Sequence, residues 1–268
     1  MSTASPDTPF GQHAPGLLTF PLRMVTRLGL AHGKIAKILH KAWRQLHGAD
    51  VDAEVRGLRY RLNLYDNTTD VKILISSKVY DAVELGVLAA ACQELPFVDV
   101  GANIGYYTME IAKRGCPAIL AIEPNPPTLG RLRCNLALNS MSDRVTVVAD
   151  GVGPAGELEF YQTGGLGGSS FVKPAHDVPV IRVRTSPLTN ILAENGIRRL
   201  GGMKVDVEGF EDQALGPFLR DAPDTLLPSC VVMESCHEDN WKTDLKSLFL
   251  ARGYRLERKT RANLIFVR

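Results

Sequence analysis

From residue 97 onward, short apolar runs alternate with stretches whose apolar positions recur at helical spacing. The strand-like runs are 97–101, 118–123, 144–149, 179–184, 202–207, 229–234, 253–258 and 263–267. The helical patterns between them are 105–114, 126–139, 187–195, 210–220 and 240–252. Such alternation predicts an α/β fold, a mostly parallel sheet with helices on both faces. The last two strands are separated only by a short turn at Thr260–Ala262, so they must pair antiparallel. Upstream, "AEVRGLRYRLNL" at 53–64 alternates like a surface strand pair, and "SKVYDAVELGVLAAACQEL" reads as a helix ending at Pro96.

The first 50 residues have a different texture. Residues 1–21 are rich in Pro, Ser, Thr and Gly and read as a flexible arm. Residues 22–47 combine Ile35, Ile38, Leu39, Ala42 and Leu46 at helical spacing with Arg23, Arg27, Lys34, Lys37, Lys41 and Arg44, and no acid lies between Asp7 and Asp50. Three readings fit this basic amphipathic segment: a helix capping the main domain, a membrane-surface or partner-docking helix, or a transit peptide. The expected division is an arm and basic helix over 1–50 and a catalytic domain over 51–268, with 51–79 as its N-terminal strand extension.

Composition narrows the class. A chain of 268 residues suits one domain of ordinary size with an extension, or two small domains. A formal net charge of +2 gives no global field for nucleic acid, so none is expected as a partner. The five cysteines, at 92, 116, 134, 230 and 236, form no CxxC pair; reduced thiols in a cytoplasmic protein fit best.

Candidate chemistry begins at "FVDVGANIGYYT", where the first core strand runs into a turn. Ligands of open parallel sheets sit at the carboxyl ends of the strands. Gly101 and Gly105 permit close backbone approach, and Asn103 tolerates a left-handed conformation. Asn103 and Tyr106 break the dinucleotide glycine spacing, which argues against an NAD-linked oxidoreductase, and the Gly-Lys-Ser/Thr ending of a P-loop is absent. An adenosyl group without a pyrophosphate is the remaining common ligand. Its amino-acid end would lie over the turn, near Asp99 and Gly101. Glu123, followed by Pro124 and Asn125, ends the second strand, where its two oxygens suit both ribose hydroxyls. Asp150 ends the third, placed either for an adenine amino group or as a turn former before Gly151.

The fourth strand, "GGMKVDVEGFED", carries Lys204, Asp206 and Glu208 at alternate positions, with Glu211 one helical turn on. Alternate strand residues share a face. Charges there are tolerable only at the open carboxyl edge of the sheet. Candidate general bases are Asp206, then Glu208, then His237 after the fifth strand; Glu234 at that strand's end would orient a base or an acceptor hydroxyl. Oxygen ligands of this kind suit Mg²⁺ or Ca²⁺, yet nothing in the spacing demands an ion and none is assigned. The glycine-dense "YQTGGLGGSSF" fits either a lid over the site or an exposed hairpin loop.

Over about residues 80–268 the chain resembles class I S-adenosylmethionine-dependent methyltransferases, and the FkbM family in particular. The segments that carry the resemblance are "FVDVGANIGYYTMEIAKRG", "AIEPNPPTLGRLRCNLALN" and "MKVDVEGFEDQAL". It implies a Rossmann-like, seven-stranded sheet with its last strand inserted antiparallel, S-adenosyl-L-methionine as cofactor, and O-methylation of a hydroxyl on a small molecule or sugar. At "ADGVGPAG" the chain departs from the family's usual Ala-Leu-Gly-Asp pattern. A non-catalytic binding or scaffold protein on the same fold is the alternative from another class.

Overall fold

The computed structural model describes residues 8–76, 78–163 and 165–268. Residues 1–7 of the arm, and single positions at 77 and 164, therefore lie outside the described residues. The N-terminal unit comprises α1 (Phe20–Arg27), α2 (Gly33–His47), the hairpin β1 (Asp50–Val55) and β2 (Leu58–Asn63), and α3 (Thr68–Ile75). The domain proper continues through α4 (Ala82–Ala91), β3 (Phe97–Val100), α5 (Tyr106–Lys113), β4 (Ile119–Ile122), α6 (Pro126–Leu138) and β5 (Val145–Val148). Next come β6 (Gly151–Val152), β7 (Gly156–Tyr161), β8 (Val180–Ser186), α7 (Leu188–Glu194), β9 (Gly202–Val205) and α8 (Glu211–Asp221). The chain closes with β10 (Cys230–Glu234), α9 (Leu245–Ala251), β11 (Arg255–Lys259) and β12 (Asn263–Val267).

Seven strands form the main sheet in the order β11-β12-β10-β9-β3-β4-β5. β12 runs antiparallel between β10 and β11, as the short Thr260–Ala262 turn requires, and the other neighbours pair parallel. β3, β4, β9 and nearly all of β10 are buried, as expected for strands covered on both faces. One cluster of buried residues, including Leu85, Phe97, Ile104 and Val232, fills one face. A second, including Val98, Leu215, Met233 and Phe249, fills the other. The order reverses between β3 and β9, and this switch opens the crevice in which open sheets bind ligands.

Several elements differ from the sequence reading. The run at 179–184 does not enter the main sheet: as β8 it sits between β6 and β7 in a separate three-stranded sheet. The hairpin at 53–64 is not a surface pair. β2 is buried at all but one position because α6 covers it, with Asn135 Oδ1 accepting from the Arg61 amide at 2.8 Å. The basic segment forms two helices rather than one, and of its predicted apolar stripe only Leu39 is buried, together with Trp43. α3 was not foreseen.

The arm reading also changes for residues 8–13. Arg61 and Asp52 form a buried ion pair at 2.8 Å. Asp52 additionally accepts from the amides of Gly11 and His13, and Arg61 donates to the carbonyls of Thr8 and Pro9. The cysteines are free thiols, four of them buried. Among the described residues, no helix is long and apolar enough to cross a membrane.

Candidate active site

A cavity of about 670 Å³ opens at the carboxyl ends of β3, β4, β9 and β10. Of the sequence-predicted residues, Asp99, Gly101, Asn103, Glu123, Pro124, Asp206, Glu208 and Glu234 line it. Gly105, Asn125, Asp150 and His237 do not. Gly105 precedes α5 with φ 92° and packs against Leu132. Asn125 precedes α6, and its Oδ1 accepts from Gln162. Both oxygens of Asp150 face the Arg184 guanidinium, each at 2.9 Å.

The turn after β3 is built by its neighbours. Gly101 has φ +78°, and a Cβ there would collide with the backbone carbonyl oxygen of Asp206. Close approach of two strand ends is thus the reason for glycine. Asn103 adopts φ 51°, the left-handed conformation anticipated from the sequence. Glu123 pins this geometry: Oε2 accepts from the Asn103 amide at 2.8 Å and Oε1 from the Asn125 amide at 2.9 Å. Each oxygen keeps a second lone pair directed to further donors. Burial pushes the Glu123 carboxyl up to about 7, against the lowering effect of these two amides. Burial likewise pushes Asp99 up to about 6, although Thr108 Oγ1 donates to it at 2.6 Å.

Across the crevice, the strand reading of "KVDVEG" needs correction. β9 ends at Val205; Asp206 follows it directly, its amide still donating to the Val100 carbonyl at 3.0 Å, whereas Glu208 stands in the turn beyond, so the two do not share one strand face. Glu208 sits at φ +54°, a conformation costly for a side chain of this kind. Two residues hold it there. Ser170 Oγ donates to the carbonyls of Val207 and Glu208, at 3.1 and 2.8 Å. The Oε1 of Glu211 accepts from the Val207 and Gly209 amides, while its Oε2 accepts from Trp241 Nε1. Glu211 is therefore a clamp, and Ser170, given no role from sequence, is a second one.

The turn gathers charge. Lys204 is buried, and its Nζ lies 3.2 Å from Asp206 Oδ2. Burial would lower the ammonium, but Asp206, Glu234 and Asp99 outweigh it and raise its proton affinity above the ordinary lysine range. His237 Nε2 lies 3.2 Å from Glu208 Oε2, which brings the third candidate base to the second from outside the cavity. Burial, then the neighbouring Asp206 charge, pushes both Glu208 and Glu234 up to about 8. The ligand atoms of Glu208, Glu234 and His237 lie within 4.8 Å of one another, as do those of Asp206, Glu211 and Glu234.

These raised values carry a pH prediction. Between about 4.5, the ordinary glutamate value, and about 8, the folded protein holds more protons here than the unfolded chain does. The stabilising contribution is complete below that window and is lost as pH rises through it. Glu234→Gln should therefore melt at a higher temperature than the parent near pH ~9, with the difference vanishing near pH ~5. An equal effect at both ends would show that the carboxylate crowding is relieved some other way.

The opposite wall had no signal in the sequence. Thr68, Thr69 and Lys72 from α3, with Tyr80 and Asp81, face Tyr106 and Tyr107 of the quoted turn. Tyr107 donates to Asp81 at 2.7 Å and Lys72 to Tyr80 at 3.0 Å. Asn67 Nδ2 donates to Asn103 Oδ1 at 2.7 Å, which ties the N-terminal unit to the turn. Leu166, Gly167, Ser169 and Phe171 close another side, so the glycine-dense stretch covers the site.

A family model described as the methyltransferase FkbM domain matches residues 99–256, more than half of the chain. The chain belongs to the FkbM methyltransferase family. It is an S-adenosylmethionine-dependent methyltransferase with the class I fold, and S-adenosylmethionine is its cofactor. No curated protein matches the chain. Among solved structures it is similar to the methyltransferase FkbM of Methylobacillus flagellatus KT, at 17% identity and a TM-score of 0.45, over 93% of this chain and 59% of that one. It is also similar to the precorrin-6y C5,15-methyltransferase of Geobacter metallireducens GS-15, at 16% identity and a TM-score of 0.43, over 72% and 92% of the two chains. A third likeness is TYW2 of M. jannaschii, solved with AdoMet, at 14% identity and a TM-score of 0.39, over 82% and 87%.

Proposed function

We propose that this FkbM-family enzyme transfers a methyl group to a hydroxyl oxygen of a small polyhydroxylated acceptor, a sugar or a related metabolite. The observation that carries the reading is the carboxylate-lined acceptor side of the cavity: Asp206, Glu208 and Glu234, with Asp81 and Glu84 from the N-terminal side. Carboxylates accept hydrogen bonds from hydroxyl groups and can take up the proton that a hydroxyl nucleophile must lose. A volume of about 670 Å³ accommodates a cofactor and a compact acceptor together.

The lining residues fit the cofactor. Glu123 has acceptor capacity left for ribose hydroxyls after its two backbone contacts. Gly101 and Ala102 present backbone with little side-chain bulk, and Asp99 offers a buried carboxylate beside them. When bound, S-adenosylmethionine supplies an electrophilic methyl group on a sulfonium. The protein's own work is to orient the acceptor hydroxyl, exclude water and receive its proton. Asp206 is the proposed base. Lys204 holds it from behind, and Glu208, aligned by His237, and Glu234 bind neighbouring hydroxyls. Residues 51–79 are proposed as the N-terminal, acceptor-side extension of a methyltransferase domain over 51–268, with residues 1–50 as an arm and basic helical segment.

Calorimetry with S-adenosylhomocysteine tests the cofactor end. Glu123→Ala should weaken binding by roughly tenfold or more, since buried charged hydrogen bonds contribute about 1.5–3 kcal/mol each. Undiminished affinity would remove Glu123 from the cofactor site. Radiolabelled methyl transfer into a fractionated metabolite extract tests the acceptor end. Label confined to carbon- or nitrogen-methylated products would overturn the hydroxyl reading.

A further inference from the structure

A large apolar exposure lies outside the cavity. Of the thirteen large hydrophobic side chains exposed among the described residues, eight fall between residues 17 and 46. Leu17 is 93% exposed, Leu18 75%, Ile38 67% and Leu28 66%, with Phe20, Leu30, Ile35 and Leu46 also in solvent. They belong to a short turn at Leu17–Thr19, to α1, to α2 and to the α1–α2 link, which pack on one another. A core-capping helix would hide its apolar stripe. Here Leu39 is buried and Trp43 packs with Val51 and Leu64, while Ile35, Ile38 and Leu46 of the stripe stay outside.

Charge accompanies this surface. Arg23, Arg27, Lys34, Lys37 and Lys41 are exposed, and among the described residues neither they nor Arg44 makes an ion pair. A groove of about 470 Å³ on α2 is lined by Lys37, His40, Lys41, Arg44, Gln45 and Tyr65, with no carboxylate. The Arg44 guanidinium stacks over the Tyr65 ring at 3.8 Å, which leaves the groove preshaped.

We infer that α1, α2 and the turn before them form a docking surface for an anionic lipid bilayer. The aliphatic side chains enter the acyl boundary, and the Lys37–Lys41–Arg44 groove receives lipid phosphate. Apolar residues beside a basic stripe are what an interfacial helix requires. The same combination disfavours other occupants. A second copy on a two-fold axis would set these cations against their own copies. A nucleic acid would satisfy the cations but leave the leucines and isoleucines in water.

Vesicle co-sedimentation of the full chain tests this. The protein should bind vesicles of phosphatidylcholine plus phosphatidylglycerol, and added salt should weaken that binding. Vesicles of phosphatidylcholine alone should bind it far less. Lys37→Glu with Lys41→Glu should lower the partition coefficient roughly tenfold or more. Leu17→Ser, Leu18→Ser and Ile38→Ser together should lower it comparably; all three positions are exposed, and unchanged melting temperatures would confirm intact folding. Equal binding to both vesicle types would overturn the proposal. So would absence of vesicle binding, whether or not the protein self-associates or binds an RNA duplex.

Discussion

Asp206→Asn is expected to reduce methyl transfer by about 10²–10⁴-fold, the contribution of a positioned general base. S-adenosylhomocysteine affinity should stay within about threefold, because the proposed base receives the acceptor's proton and does not hold the adenosyl group. The isosteric amide keeps the shape of the turn and still offers an oxygen to Lys204. The substitution has a second signature. The Asp206 charge helps raise Glu208 and Glu234, so its removal should move the pH dependence of any residual turnover to lower pH. An unchanged rate would refute Asp206 as the base. An unchanged rate together with large losses in Glu208→Gln would transfer the role to Glu208.

Gly101→Ala should damage the fold itself. The added methyl would meet a backbone carbonyl oxygen, which cannot rotate away as a side chain does, and the position has φ +78°. Both effects act at the junction of β3 with the Asp206 turn. A loss of at least ~3 kcal/mol is expected, or roughly 8 °C or more in melting temperature for a domain of this size. Gly130→Ala is the matched control. It lies within α6 with open space around it, so alanine should be neutral or mildly stabilising there. If Gly101→Ala melts like the control, the two strand ends are less tightly joined than the structure places them.

Much of the central architecture was legible in the sequence because buried parallel strands have few alternatives. Runs such as 97–101, 118–123 and 229–234 are apolar on both faces and can only be interior. Position within the α/β alternation then located Glu123 and Asp206 at strand ends without any contact information. The same local reasoning misplaced Glu208. It extended a two-residue alternation past Val205, whereas the chain had already turned, held by Ser170 and Glu211. Ser170 lies 38 residues upstream of Glu208 and Glu211 two downstream of Gly209, and alternation carries no trace of either clamp.

The sequence by itself determined the alternating α/β order, the antiparallel closing hairpin and the motifs of the FkbM family, because each depends on neighbours within a few positions. Only the tertiary structure decided what faces what. It folded the N-terminal unit against the turn through Asn67 and Asn103. It sent β8 to a separate sheet and gave Asp150 to Arg184. It also left eight large apolar side chains between residues 17 and 46 in solvent rather than on the core. The physical reason is the range of the interactions. Periodicity reports which face of an element is apolar, but burial depends on whether another element, distant in the chain, arrives to cover it.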